Sequence, residues 1–323
     1  MRYVVYLPLL FPLLAAVLAR PLGERLPPRL ATWLLSLGAL VLAAASTTVL
    51  ALLSITGLIR IPLLARLAHG HWSAQAAQHH DPASFSVALL SGALLAAAAG
   101  AAARMLWRRV RTLAASAAEA ACMPGRDQLV VVDDPAAEAY AVPGLPGRIV
   151  VSTGMLDALD PIEREVLLAH ERAHLRHHHH LFVALAQLAA AANPLLRPLA
   201  GAVTYTVERW ADESAASCIG NRRQVAQTVG KAALAAQRTR ARTRLREAPW
   251  AAAALGILGR LVPSGPGPVP RRVAALLAPP LRRRPLPLAV IVGLLLATGL
   301  CAAEAVHDLE ALLELVKHAA SRG

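Results

Sequence analysis

Four stretches of the chain run long and apolar without a charge. Tyr3 to Ala19 lies between Arg2 and Arg20, and Ala31 to Leu58 is longer. Phe85 to Ala103 ends at Arg104, Arg108, Arg109 and Arg111, and Pro285 to Ala303 is entered through Arg282, Arg283 and Arg284. About 20 helical residues cross a bilayer core, so each is long enough to span, the first with tilt or local thinning. Pro8 and Pro12 in the first run are tolerated where neighbouring helices pack against the kink. A cleaved signal peptide is the rival reading of that run, weakened because a second apolar run follows almost at once.

The arginines between these runs predict orientation. Arg20, Arg25 and Arg29 crowd the first connection, whereas Ile59 to Ser84 carries Arg60 and Arg66 among several histidines. The first connection is therefore expected in the cytoplasm and the second outside. That assigns 1–103 to three transmembrane helices and 104–284 to a cytoplasmic domain. Residues 285–303 form a fourth helix and 304–323 a short external acidic tail carrying Glu304, Asp308, Glu310 and Glu314.

Within 104–284 the pattern shortens. Gln128 to Val132, Glu138 to Val142 and Arg148 to Ser152 read as strands, divided by Asp133-Asp134-Pro135 and by Pro143-Gly144-Leu145-Pro146-Gly147. Arg148–Ser152 is expected at the sheet edge, open to an extended peptide by strand addition. A helix then opens at Asp160, with Pro161 at its first position and Glu163 completing a capping box. It carries His170-Glu171-Arg172-Ala173-His174. Histidines at i and i+4 share one helix face, so both imidazoles can reach a single metal ion. Glu171 is then placed to act on water rather than to ligate.

A catalytic site needs a further protein ligand. Past the Asn193-Pro194 break, Glu208 and Asp212 stand four apart in Val207-Glu208-Arg209-Trp210-Ala211-Asp212. One carboxylate can ligate while the other accepts a hydrogen bond from a ligand imidazole and orients it. The alternative is pairing of these acids with Arg209 or Arg222 on a solvated face. The tract His177 to His180 reads as a solvated or membrane-skirting continuation of the helix, or as a second metal or oxyanion site. His177 and Tyr205 are candidate transition-state helpers, with plain packing the alternative for Tyr205.

Composition narrows the class. Hydrophobic residues make up 56% of the chain and aromatics only 4%, too apolar for an ordinary soluble domain. Cys122, Cys218 and Cys301 are far apart with no Cys-x-x-Cys, which argues against a disulfide framework and against a thiolate zinc site. The net charge of +13 fits a basic face against anionic headgroups. Arg238, Arg240, Arg242, Arg244 and Arg246 spread around a helix without interleaved aromatics, so direct nucleic-acid binding is not expected. Metal transport would want ionisable residues within the spans, and these have none.

Arg148 to Gly154, Leu159 and Glu165 to Arg176 together resemble the membrane metallopeptidases of the BlaR/MecR antirepressor family, and more distantly the HtpX-type membrane proteases. Asn193-Pro194-Leu195-Leu196 and Glu208 to Asp212 are similar to the family's later motifs, and the order of spans matches its layout. The resemblance implies a membrane α-helical protein of about four transmembrane helices with a mainly α, α+β zincin-like cytoplasmic metalloprotease domain. In it, His170, His174 and Glu208 hold Zn2+, Glu171 is the catalytic base and Asp212 supports a ligand. The substrate it implies is a protein or peptide, such as a cytoplasmic repressor. His179 stands where the family usually has an acid, and no large external domain follows residue 303, so direct β-lactam binding has no support. A zinc-binding membrane sensor or scaffold that cleaves nothing is the alternative.

Overall fold

The structure, a computed structural model, describes residues 7–58, 85–122, 128–144, 146–247 and 267–281, with isolated positions from 293 to 307. The expected fourth span, the acidic tail and the connection 59–84 lie outside the continuously described residues. Two compact units emerge: Met1–Arg108 with Val183–Val203 and Arg283–Gly323, and Arg109–Phe182 with Thr204–Arg282.

The first unit is helical. Helix α1 (Leu7–Arg25) runs through Pro12 and Pro21 and on past Arg20, so only Leu26 and Pro27 separate it from α2 (Pro28–Leu58). Small residues let α1 and α2 approach: Ala31, Ala39 and Thr32 are fully buried. Ser46 Oγ donates to Leu42 O at 2.7 Å and accepts from Asn193 Nδ2 at 3.1 Å. Helix α3 (Phe85–Cys122) does not stop at Ala103, because the arginines that follow sit among alanines and leucines that favour helix. Pro28–Ile55 and Ser86–Ala118 are long and apolar enough to cross a membrane.

The second unit is built on a three-stranded sheet. Strands β1 (Leu129–Val132), β2 (Ala139–Val142) and β3 (Arg148–Ser152) lie in the order β1-β3-β2, with β3 parallel to β1 and antiparallel to β2. The expectation that Arg148–Ser152 forms the edge is therefore corrected: β3 is central. Its burial explains this, since Ile149 and Val151 pack on one face with Met155 and Leu159 while Val150 packs on the other with Val130 and Val142. An apolar run buried on both faces belongs inside a sheet. The second edge of β2 pairs with no strand among the described residues.

Helix α4 (Thr153–Ala158) follows β3 directly. Gly154 is required there, because a Cβ at this position would lie 2.2 Å from the Pro135 carbonyl oxygen. Helix α5 (Pro161–Arg176) starts with the expected capping box: Glu163 N–H donates to Asp160 Oδ1 and Asp160 N–H to Glu163 Oε2, both at 2.9 Å. Lys231 also pairs with Glu163, tying α5 to α8 (Arg222–Glu247). Val166 and Ala169 of α5 pack with Ala215 of α7 (Arg197–Ile219), with Val225 and Ala226 of α8, and with Leu276 of α9 (Pro268–Leu277). A fully buried valine of this kind contributes about 1.5–3 kcal/mol.

The histidine tract is not a continued helix, which corrects the sequence reading. Helix α5 ends at Arg176, His178 turns the chain at φ 49°, and α6 (His179–Ala192) begins anew. Nor is the tract uniformly solvated, for His179 is 1% exposed.

Candidate metal centre

Helix α5 presents His170 and His174 on one face, and α7 brings Glu208 across from them. The two Nε2 atoms face each other at 3.1 Å, and each is 3.7 Å from a Glu208 carboxylate oxygen. The three ligand atoms lie within 4.8 Å of one another. Tetrahedral zinc with bonds of about 2.0–2.1 Å holds its nitrogens roughly 3.3 Å apart, so the spacing fits. Two nitrogens and one carboxylate oxygen also suit zinc chemically.

Each imidazole is held from behind. His170 Nδ1 lies 3.1 Å from Asp212 Oδ1, which orients the ring so that Nε2 faces the centre. Asp212 thus stands where i,i+4 spacing from Glu208 put it. His174 Nδ1 meets His179 Nδ1 at 3.1 Å. The turn at His178 swings His179 back under α5, so a further imidazole stands behind the His174 ring. Trp210 packs beside this arrangement, its ring 4.7 Å from His179 and stacked on His177 at 4.8 Å.

Arg272 of α9 escaped the sequence reading. It donates to Asp212 through Nε at 2.8 Å and Nη2 at 2.6 Å, and its Nη1 reaches Glu208 at 2.7 Å. The acids do pair with an arginine, and the one that bridges them is Arg272. Arg222 instead pairs with Glu213 and donates to carbonyls at the end of α9. The only local signal for Arg272 was a Pro-flanked basic pair, Arg271-Arg272, some sixty residues downstream of Asp212.

Charge sets the protonation states. Burial works against a charged His170, but Asp212 and Glu208 outweigh it and raise its pKa to about 10. Burial, helped by the His170 charge, lowers His174 to about 4. Burial and the neighbouring histidines lower His179 to about 3. Neutral His179 can therefore accept the Nδ1 proton of His174, leaving the His174 Nε2 lone pair free for a metal. Burial would raise Glu208, but His170 and Arg272 hold it well below the usual carboxylate range. Glu171 is raised by burial and by the Glu208 charge against the pull of His170, and its carboxylate accepts from the Ala141 N–H of β2.

The other candidates are engaged elsewhere. His177 closes α5 and stacks on Trp210. Tyr205 is buried, with the Arg271 guanidinium 4.5 Å from its ring centre. Neither joins the group of three ligands. Cys122 and Cys218 are exposed and free.

A helix with paired imidazoles, an acid between them and a carboxylate from a distant helix form a group that could hold a metal ion. A family model described as Peptidase family M48 matches residues 101–196, which take in the sheet and α5. The match supports a metallopeptidase of that family, whose members bind zinc. No curated protein and no solved structure matches.

Proposed function

We propose that the chain is a membrane-integrated, zinc-dependent endopeptidase that hydrolyses a cytoplasmic or membrane-proximal protein. The observation that carries this is the convergence of His170, His174 and Glu208, with Glu171 buried beside them. Zinc held there supplies Lewis acidity, bringing the pKa of water toward 7 and stabilising a developing oxyanion. Glu171, its pKa raised by burial, takes the proton of the attacking water and passes it to the leaving amine. Asp212 and His179 keep the two ligand rings aimed, and Arg272 keeps both carboxylates charged and in place.

The substrate backbone lies along the open edge of β2. Glu138 O accepts from Ser152 N, so by alternation along an antiparallel pair Ala139 and Ala141 direct their N–H groups away from β3. Ala141 already donates to Glu171, which puts this edge at the catalytic carboxylate. Beside it a cavity of about 190 Å3, lined by Met155, Val166, Leu167, Val229 and Val269, reaches His170 and Glu171. It has room for an aliphatic substrate side chain.

Membrane integration is supported by α2 and α3, and cytoplasmic placement of the site by the arginine asymmetry across the first two connections. A repressor protein as substrate follows from the antirepressor resemblance. The test compares wild type with Glu171→Gln in membranes by mapping newly formed protein N-termini. The variant is expected to retain zinc and lose turnover by about 100-fold or more. Proteolysis at the wild-type rate would overturn the assignment of Glu171.

A further inference from the structure

On the far side of α5 from the metal ligands lies a second opening, a groove of about 730 Å3. Its polar lining is cationic or neutral: Arg172 and Arg176 stand one turn apart on α5, with His178, His180 and the Gln128 amide around them. No carboxylate is among its lining residues. Gln128 and His178 are the non-glycine residues with positive φ among those described, at 68° and 49°. Both strained positions therefore belong to this groove. Arg109 of α3 donates to the His180 carbonyl at 3.3 Å, fixing the tract against that helix.

The floor is apolar and continues along α3. Leu113 and Ala117 line the groove. Val110 precedes Leu113 by three residues on the same helix face and is 52% exposed. Trp107, 63% exposed, sits among Arg104, Arg108 and Arg109 just past the apolar run of α3. Tryptophan beside arginines at the end of an apolar helix is the signature of a membrane interface.

We propose that this groove binds one anionic phospholipid, the phosphate of its headgroup between Arg172 and Arg176 and an acyl chain on Val110, Leu113 and Ala117. A soluble anion would use the arginines but leave the apolar track uncovered. A neutral lipid would cover the track and leave the arginines unpaired. The assignment rests on the reading of α3 as a membrane span.

The test places the full chain in nanodiscs of phosphatidylcholine mixed with phosphatidylglycerol and measures which lipid is retained, by native mass spectrometry. Wild type is expected to retain phosphatidylglycerol preferentially. Arg172→Gln/Arg176→Gln is expected to lose the preference by about 30-fold, the size expected for two arginines at an anionic surface. Leu113→Glu, which puts a carboxylate on the floor, is expected to lose it as well. An unchanged preference in both variants overturns the site. Displacement of the lipid by millimolar inorganic phosphate assigns the arginines to a free anion and overturns the lipid. Release of the chain from membranes by alkaline carbonate overturns the span and the lipid site together, whereas retention without lipid preference overturns the site alone.

Discussion

Replacing Arg272 by methionine keeps its length and removes the charge that faces both carboxylates. The side chain is 12% exposed and makes its two bonds to Asp212 and one ion pair to Glu208 in a buried setting. Removing one partner of such a cluster costs about 3–5 kcal/mol, because the remaining charges stay buried and unpaired. In a domain of this size that lowers the unfolding midpoint by about 10 °C. The charge count then predicts an asymmetry. Without metal, His170 and Arg272 balance Glu208 and Asp212. With zinc, His170 surrenders its proton and the wild-type site carries an excess positive charge, which the variant lacks. Arg272→Met should therefore be strongly destabilised under chelator and gain more from added zinc than wild type does. Thermal unfolding of the detergent-solubilised chain, with chelator and then with zinc, reads both effects. An unfolding midpoint equal to wild type under chelator, or a zinc increment no larger than wild type's, would refute this account of Arg272.

The remaining predictions follow from the same contacts. His179→Ala should weaken zinc binding by about 10–100-fold, as losses behind a ligand ring do, read by competition with a chelating dye; unaltered affinity would remove its positioning role. Because His170 is raised to about 10 while His174 is lowered to about 4, zinc uptake at neutral pH should release about one proton. Calorimetry in buffers of different ionisation enthalpy counts it, and affinity should climb about tenfold per pH unit from 7 to 9. The sign for the metal-free fold is opposite: the charged His170 stabilises it fully below pH 6.5, and this is lost as pH rises through about 10. Ala139→Pro should abolish turnover without unfolding the domain, since its N–H points to the open edge and proline is accepted at the first residue of a strand. Normal hydrolysis by that variant would rule out substrate pairing along β2.

What the sequence disclosed was local. The capping box at Asp160 and Glu163 formed as read, and the His170–His174 pair and the Glu208–Asp212 spacing are likewise set within one or two helical turns. The order β1-β3-β2 was hidden, because a parallel crossover is a long-range choice and an apolar run such as Ile149-Val150-Val151 has no alternation to mark its faces. His179 was misread because five residues after His174 on an unbroken helix would point it away; the turn at His178 reverses that. Arg272 lies on another helix altogether, and nothing in its neighbourhood announces two carboxylates some sixty residues back.

The central claim is tested most directly by zinc K-edge X-ray absorption on the purified full chain. It predicts one zinc per chain with two imidazole nitrogens and one carboxylate at about 2.0–2.2 Å, and loss of the carboxylate shell in Glu208→Ala. A spectrum unchanged by that substitution, or one with four protein ligands closing the metal, would contradict it.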